Sequence, residues 1–427
     1  MMIKTYITDK YHNYQLAELD LSTNDLGKKV VIVRPTGLKW LGFGGAFTEA
    51  SGYVYHFLDE KLKAKVIELY FDYQKGLGYT WGRIPIASCD FSLGPYDYLE
   101  SGTLDYTRDN QYTFPLIKDV LEKYPLSFLV SPWSPPASMK TNNARTYGGA
   151  LKQECYLEYA TYLKDYLVHL KKDLGIMPKY ITVQNEPAAT QTWDSCIYSP
   201  LEEFNFVKEA LAPVLKQNQI NIDILVWDHN RDIMYERVSP IYELDKDNLI
   251  KGCAIHWYDN EPFDNIKKVK AKYPDRLIIH SESCIEGGPH FNFYEGAERY
   301  ARNIIGDMRG GTQGFIDWNI FLDYFGGPNW VGNMCVAPIM IDTKNNEFSI
   351  QKSYYGIGQL AKFIRPGDEL IEANIENTNL YYVLYQNSKQ MKLVLLNQTE
   401  SDEVICFMEQ NYLIPKRSIV TIIGEIL

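Results

Sequence analysis

Two apolar runs in this chain each end on a glutamate. Residues 179–187 read KYITVQNEP, in which Tyr180-Ile181-Thr182-Val183 has the β-branched and aromatic make-up of a buried strand. Pro187 cannot donate to a sheet ladder and restricts the residue before it, so the strand stops at Gln184-Asn185-Glu186. Residues 277–282, LIIHSE, repeat the pattern and stop at Glu282. Cleaving a glycosidic bond takes two carboxyl groups flanking that bond, one to handle the proton and one to work on the anomeric carbon. Two glutamates at strand ends that face one cleft would supply the pair.

Something must bring those ends together. Eight strand-like segments run along the chain, at 41–46, 79–86, 126–133, 180–186, 222–227, 252–258, 277–282 and 314–319. Amphipathic, helix-like segments separate them, at 59–75, 114–124, 153–174, 199–216, 263–273 and 293–308. Ser199-Pro200-Leu201-Glu202 is a strong helix start, with a serine cap, proline in the first turn and an early acid. Strict alternation predicts an α/β fold, a (β/α)8 TIM barrel whose strand C-termini gather the reactive groups. A doubly wound open sheet is the alternative, but no GxGxxG follows the first strand. The flanks read differently. Alternating segments at 14–19 and 29–33 precede the barrel, and the breaker Arg365-Pro366-Gly367 follows it. Strand-like segments then come at 380–385, 391–396, 404–408 and 418–423, with a hairpin turn at 386–390. Isolated hairpins are marginally stable, so both termini are expected to join in a side β-sandwich. The domains read as 1–35 and 365–427 for that sandwich and 36–364 for the barrel.

Taken in order, the strand ends carry Glu49, then Arg83 with Asp90 beyond it, Trp133, Asn185-Glu186, Trp227-Asp228-His229-Asn230, His256-Trp257-Tyr258, Glu282 and Asp317-Trp318-Asn319. Indole rings among amides and carboxylates suit a sugar, whose C–H face stacks on rings while its hydroxyls take hydrogen bonds. The bulk numbers bound the class of protein and partner. At 45% hydrophobic and 23% charged the chain is that of a folded protein, and its formal charge of −11 argues against nucleic acid. No run is long and apolar enough for a membrane span, and the N-terminus lacks a signal peptide's apolar core. The seven cysteines are scattered, with no CxxC or zinc spacing, and read as reduced thiols in a cytoplasmic protein.

The runs GFGGAFTEAS, RIPIASCDFS, SPWSPPASMKTN, QNEP, HWY, SES and DWN, the last followed by GGPNWVGN, resemble glycoside hydrolase family 30, in order from about Trp40 to Phe363. That family includes glucosylceramidases, β-glucosidases, β-xylosidases and β-1,6-glucanases. The resemblance implies a (β/α)8 barrel with a side β-domain, a retaining mechanism, Glu186 as acid/base and Glu282 as nucleophile. It also implies a subsite for the non-reducing sugar from Glu49, Trp133, Trp318 and Asn333, with His256 and Tyr258 on the adjoining wall and Tyr258 bonded to Glu282. Glucosylceramidases carry Asp where this chain has Glu49. Trp193 and Asn230 are further cleft candidates. The chemistry asks that Glu186 carry a proton and Glu282 be ionised. Burial and a neighbouring charge would raise the first, and Arg83 would hold the second down. Strict alternation sends Asn185 and Glu186 to opposite faces, so the turn into Pro187 must bring both to the mouth, where Asn185 meets the sugar's 2-hydroxyl.

Plainer readings stand beside these. Trp133 and Trp318 could fill core, Arg83 could be a structural ion pair, and His280 reads as a satisfied core histidine. Asp90 and Asp228 read as groups that hold loops. No HxH or HExxH accompanies the histidines, so no metal or other cofactor is expected. The sequence therefore predicts a retaining β-glycosidase, exo-acting on short oligosaccharides or glycosides in the manner of a β-glucosidase or β-xylosidase. An endo-β-1,6-glucanase or xylan-active enzyme, a non-catalytic carbohydrate-binding protein and a metal-dependent hydrolase are the rivals.

Overall fold

A computed structural model describes residues 3–288 and 292–426; parts of the termini and of the loop at 287–294 fall outside them. Eight parallel strands close into a barrel: β1 (Phe43–Ala46), β2 (Trp81–Ile86), β3 (Ser127–Pro132), β4 (Tyr180–Thr182), β5 (Asp223–Asn230), β6 (Ile250–His256), β7 (Leu277–Glu282) and β8 (Phe315–Asn319). Each pairs with its neighbour in sequence, and β8 closes on β1 with Phe315 opposite Phe43. Strand centres fall where the apolar runs predict, but β4 is shorter than 180–186 and β5 runs on to Asn230.

The barrel interior is a packed floor, as the TIM fold requires. Trp81, Leu129, Tyr180, Leu225, Ala254, Leu277, Ile279 and Ile316 form one buried cluster, with the Trp81 and Tyr180 rings stacked 5.4 Å apart. Gly44 is a packing glycine: a Cβ there would lie 2.2 Å from the Trp81 carbonyl oxygen on β2. The helices cover the outside with their apolar stripes. Tyr156–Leu174 turns nine side chains inward, and Pro200–Phe206 starts with the capping box read from sequence, Ser199 accepting from the Glu202 N–H and Glu202 reaching back.

The ends of the chain build a second, nine-stranded sheet. Its order is Ala17–Glu18, Ile3–Asp9, Ser418–Glu425, Gln390–Asn397, Tyr381–Gln386, Glu369–Ile375, Lys28–Lys39, Glu403–Phe407 and Gln410–Ile414. Every pairing is antiparallel except that of Glu403–Phe407 with Lys28–Lys39. Ile7 and Val420 near one end of the order share a buried cluster with Ile405 and Ile414 at the other, so the sheet folds over its own core as a sandwich. The hairpin turn at 386–390 is present, with the Asn387 N–H donating to the Gln390 carbonyl at 3.0 Å. Three strands that the alternation did not reveal, Ile3–Asp9, Glu369–Ile375 and Gln410–Ile414, complete the sheet.

Candidate active site

Backbone irregularities at the strand ends aim the reactive side chains. Beyond β4, Glu186 takes a left-handed conformation at φ +50°, an uncommon one for a side-chain-bearing residue. That turn is what lets Asn185 and Glu186 both face the cleft instead of alternating. On β5 a bulge falls between Trp227 and His229, and Trp227 and Asp228 are left-handed at +74° and +48°. The bulge drives Asp228 into the barrel and presents His229 at the mouth. Further bulges lie between His280 and Glu282 on β7 and between Asp317 and Asn319 on β8. Bulges beside active sites commonly re-aim side chains in this way.

The result is a cavity of about 240 Å³ whose lining includes Asn185, Glu186, Tyr258, Glu282 and the rings of Trp133 and Trp318. One oxygen from each glutamate and a nitrogen of His256 lie within 4.8 Å of one another. Carboxyl pairs about 5–5.5 Å apart serve retaining glycosidases and pairs about 6.5–9.5 Å apart inverting ones. Trp133 and Trp318 stack with centroids 5.3 Å apart, and the Arg83 guanidinium lies 4.8 Å from the first ring and 5.5 Å from the second. A larger cavity, about 650 Å³, lies between the side sheet and the barrel helices, but its one carboxylate, Glu372, is tied to Arg34 at 2.8 Å. The chemistry therefore belongs to the smaller cavity.

Beneath the glutamates runs a buried charge network. Arg83 donates to Glu282 Oε2 at 2.5 Å, to Asp228 Oδ2 at 2.8 Å, to Asn185 Oδ1 at 2.9 Å and to Ser131 at 3.2 Å. Asp228 also accepts from Ser131, Thr182, Ser281 and His256. Burial alone would raise its pKa, but the Arg83 charge and the His256 hydrogen bond hold it far below the carboxylate range. His256 bridges the two levels, its Nδ1 3.1 Å from Glu186 Oε1 and its Nε2 3.1 Å from Asp228 Oδ1. Against the desolvation of a fully buried ring, Glu282, Asp228 and Glu186 push the imidazole up to about 9, so it is an imidazolium that donates to both.

This reverses the expected titration of the pair. Burial would push Glu186 up, but the His256 hydrogen bond and the charges of His229 and His256 bring it down to about 2. Burial raises Glu282, with the Glu186 charge adding to the rise, against the pull of His256 and Arg83. The group nearest to Glu186 that carries a proton is His256, whose Nδ1 lies 3.1 Å from Oε1. The sequence did not reveal this because nothing in it placed His256 under that carboxyl.

The residues read from sequence divide by position. Tyr258 donates to Glu282 Oε1 at 3.1 Å, and Asn333 and Trp193 line the cavity. Asn230 reaches it too, but its amide exchanges hydrogen bonds with the Tyr258 backbone and shapes the wall. His256 is fully buried and is not part of the wall. Glu49 is a correction: it opens the helix Glu49–His56 behind its Thr48 cap, takes a bidentate Arg108 at 2.8 Å, and accepts from the Leu93 N–H. With its oxygens so engaged and outside the cavity lining, it holds the segment after Asp90 and not a sugar. Asp90 does line the cavity, where it accepts from Asn333 Nδ2 at 3.0 Å. Burial first, then the charge of Glu282, pushes it up to about 7. Gln191, donating to Glu186 Oε2 at 3.3 Å, and His229, 3.9 Å from Glu186, also line the cavity. The signal for Asp90 was its place one turn past a strand end; Gln191 and His229 left none beyond proximity to a motif. Glu186, His256 and Glu282 are close enough to hold a cation. Both His256 nitrogens are already committed to carboxylates, so a metal would have to displace that bridge.

Residues 40–364 match the glycosyl hydrolase family 30 TIM-barrel domain. The chain belongs to glycosyl hydrolase family 30. Among family 30 relatives, the crystal structure of SrfJ from Salmonella typhimurium is 33% identical and covers the whole of both chains with a TM-score of 0.93. The lysosomal acid glucosylceramidase of Mus musculus is 28% identical over 84% of this chain and 75% of its own length. An endo-β1,6-glucanase structure, 22% identical, shares the fold with a TM-score of 0.88 over 100% of this chain and 99% of its own. The family makes the chain an O-glycosyl hydrolase with a carbohydrate substrate. Among the described residues no helix is long and apolar enough to cross a membrane.

Proposed function

We propose that this chain is a retaining, exo-acting β-glycosidase that removes a terminal β-linked glucose- or xylose-like sugar from short glycosides. The observation that carries the reading is the separation of Glu186 and Glu282 oxygens, within 4.8 Å. Glu282 attacks the anomeric carbon, and its other contacts, Arg83 and Tyr258, keep the attacking oxygen oriented. Glu186 protonates the leaving oxygen with the proton it shares with His256, then accepts one from water as the glycosyl-enzyme is hydrolysed. Asn185, fixed by Arg83, meets the hydroxyl beside the reacting carbon. Trp133 and Trp318 pack on the ring, and Asp90 with Asn333 takes the rim hydroxyls. A cavity of about 240 Å³ is smaller than the about 300–1,000 Å³ of drug-sized sites and suits one pyranose ring, which favours exo action. All seven cysteines are free, in keeping with work in the cytoplasm on substrates small enough to be found there.

The test is a panel of aryl β-glucoside, β-xyloside, β-fucoside and β-galactoside, followed by proton NMR of the first product. Release of the β-anomer before mutarotation supports the reading; the α-anomer, or cleavage only inside polymers, overturns it. Full activity in EDTA separates it from a metal hydrolase.

Two substitutions probe its parts. Asp90→Asn keeps the shape but weakens the grip on rim hydroxyls, so kcat/KM should fall by about 10²-fold. The loss should shrink for the deoxy-glycoside lacking the hydroxyl that Asp90 holds, and an equal loss on every deoxy analogue would place Asp90 elsewhere. His256→Asn removes both the group that holds Glu186 down and the proton store that titrates near 9. Glu186 must then keep its proton by itself, so the alkaline limb of the kcat/KM profile should move to lower pH by about two units. An unmoved limb would show that His256 and Glu186 do not share the proton.

A further inference from the structure

Two thiols meet in the wall of the cleft. Cys284 follows Glu282 by two residues, at the start of the turn into the short strand Ile285–Glu286. Cys335 opens the strand Cys335–Val336, which pairs antiparallel with that segment so that Cys335 faces Glu286. Cys284 is therefore one diagonal step away on the same face, and its sulfur lies 2.9 Å from the Cys335 sulfur. Both residues line the cavity that holds the two glutamates, so a molecule that reaches Glu282 also reaches them.

Each sulfur touches a different part of the site. The Tyr258 hydroxyl, 3.1 Å from Glu282 Oε1, is 3.5 Å from Cys284 Sγ. Cys335 Sγ lies 4.0 Å from the backbone carbonyl of Asn333, whose side chain donates to Asp90. The thiol pair thus joins the nucleophile's partner on one side to the rim acid's partner on the other.

We propose that Cys284 and Cys335 are a reversible modification site, converted to a disulfide by a low-molecular-weight disulfide that enters the cleft. The S–H of Cys284 donates to Cys335, which makes Cys335 the better-stabilised thiolate and the attacking sulfur. Cys335 loses its proton to solvent and attacks one sulfur of the reagent RSSR, forming a mixed disulfide and releasing RS⁻. Cys284 then loses its proton and attacks the Cys335 sulfur of that mixed disulfide, releasing the second RS⁻. Two S–H bonds are broken, one S–S bond is formed, and RSSR takes up two electrons and two protons to leave as two RSH. Burial pushes Cys284 up; at Cys335 the Cys284 hydrogen bond pulls down, but burial and the nearby carboxylates together push the thiol up, so the exchange accelerates as pH rises.

Closure draws the sulfurs from 2.9 Å to about 2.04 Å and removes both S–H donors. Cys284 moves away from Tyr258, and the Asn333 carbonyl loses its neighbour's proton. If the cleft performs the hydrolysis proposed above, turnover of the oxidised form falls by about tenfold through misplaced contacts to Glu282 and Asp90. The chemistry of the pair itself does not rest on that reading.

The experiment incubates the full chain with 2-hydroxyethyl disulfide, then alkylates it under denaturing conditions and maps its peptides by mass. The expected result is two fewer alkylated thiols than the seven of the reduced chain, with peptides containing 284 and 335 joined, and restoration by dithiothreitol. Cys335→Ala and Cys284→Ala should each abolish the internal link, the second leaving a stable mixed disulfide on Cys335. Seven free thiols, a link elsewhere, or a persistent mixed disulfide in the unmutated chain overturns the proposal. Turnover is compared before and after oxidation within each variant. A link that forms without changing turnover overturns the effect on the cleft, whereas a chain that forms the link but cleaves no glycoside overturns the glycosidase reading and leaves the modification site standing.

Discussion

Glu282→Gln is expected to lower kcat/KM on an aryl β-glycoside by about 10⁴-fold or more, with the fold intact by circular dichroism. The substitution keeps volume and removes the charge and the nucleophile; Arg83 keeps an amide oxygen in place of Oε2, and the amide NH2 faces the Tyr258 hydroxyl, which then accepts. Glu186→Gln should behave differently. On a substrate with a poor leaving group the loss of proton donation lowers turnover by about 10²–10⁴-fold. With a dinitrophenyl leaving group the first step needs no acid, so a glycosyl-enzyme should accumulate, visible as a burst and as added mass on the peptide containing Glu282. The same mass on the peptide containing Glu186 would exchange the two roles. A chain that binds sugars but shows no turnover before mutation would be a binding protein.

Arg83→Met carries the largest expected effect on stability. Arg83 is wholly buried and faces two buried carboxylates, Asp228 at 2.8 Å and Glu282 at 2.5 Å. Removing it leaves both negative charges without their shared partner, which should destabilise the fold by about 3–5 kcal/mol. The deficit has a pH signature. In the native chain Asp228 is depressed, so its contribution is present above the unfolded carboxylate pKa and is lost as pH falls through the lower, folded value. Without Arg83 that carboxyl is raised instead, and protonation relieves the penalty. The gap between the two proteins in urea unfolding should therefore be widest near neutral pH and narrow as pH falls towards about 4. A gap independent of pH would mean that lost packing, and not unpaired charge, sets the deficit.

Much of this was legible from residue patterns because barrels advertise themselves locally. An apolar run closed by an acid marks both a strand and its reactive end; Glu186 after β4 and Glu282 at the end of β7 obey that rule, the first with a proline behind it. What was not legible depends on backbone geometry or on contacts between distant segments. Asp228 reads from sequence as a group that holds a loop, whereas a bulge and two left-handed residues turn it into the barrel. Glu49 and Asp90 both follow strand ends, and the sequence reads the first as a sugar-binding acid and the second as a loop holder. Only the position of Arg108, 59 residues beyond Glu49, decides that Glu49 braces a loop and leaves Asp90 in the cavity. The ordering of the two glutamate pKa values failed for the same reason, since it turns on His256 beneath Glu186.

The seam between the two ends of the chain has a consequence for how the protein is made. Ile3 to Asp9 lie opposite Gly424 back to Ser418, so until that distant segment is translated this strand has only the two residues Ala17–Glu18 beside it. Ser418–Glu425 then enters between two waiting strands, Ile3–Asp9 and Gln390–Asn397, as the piece that makes them continuous. A nascent chain halted before Ser418 would hold all eight barrel strands beside two open strand edges, the surfaces on which unfinished chains find each other.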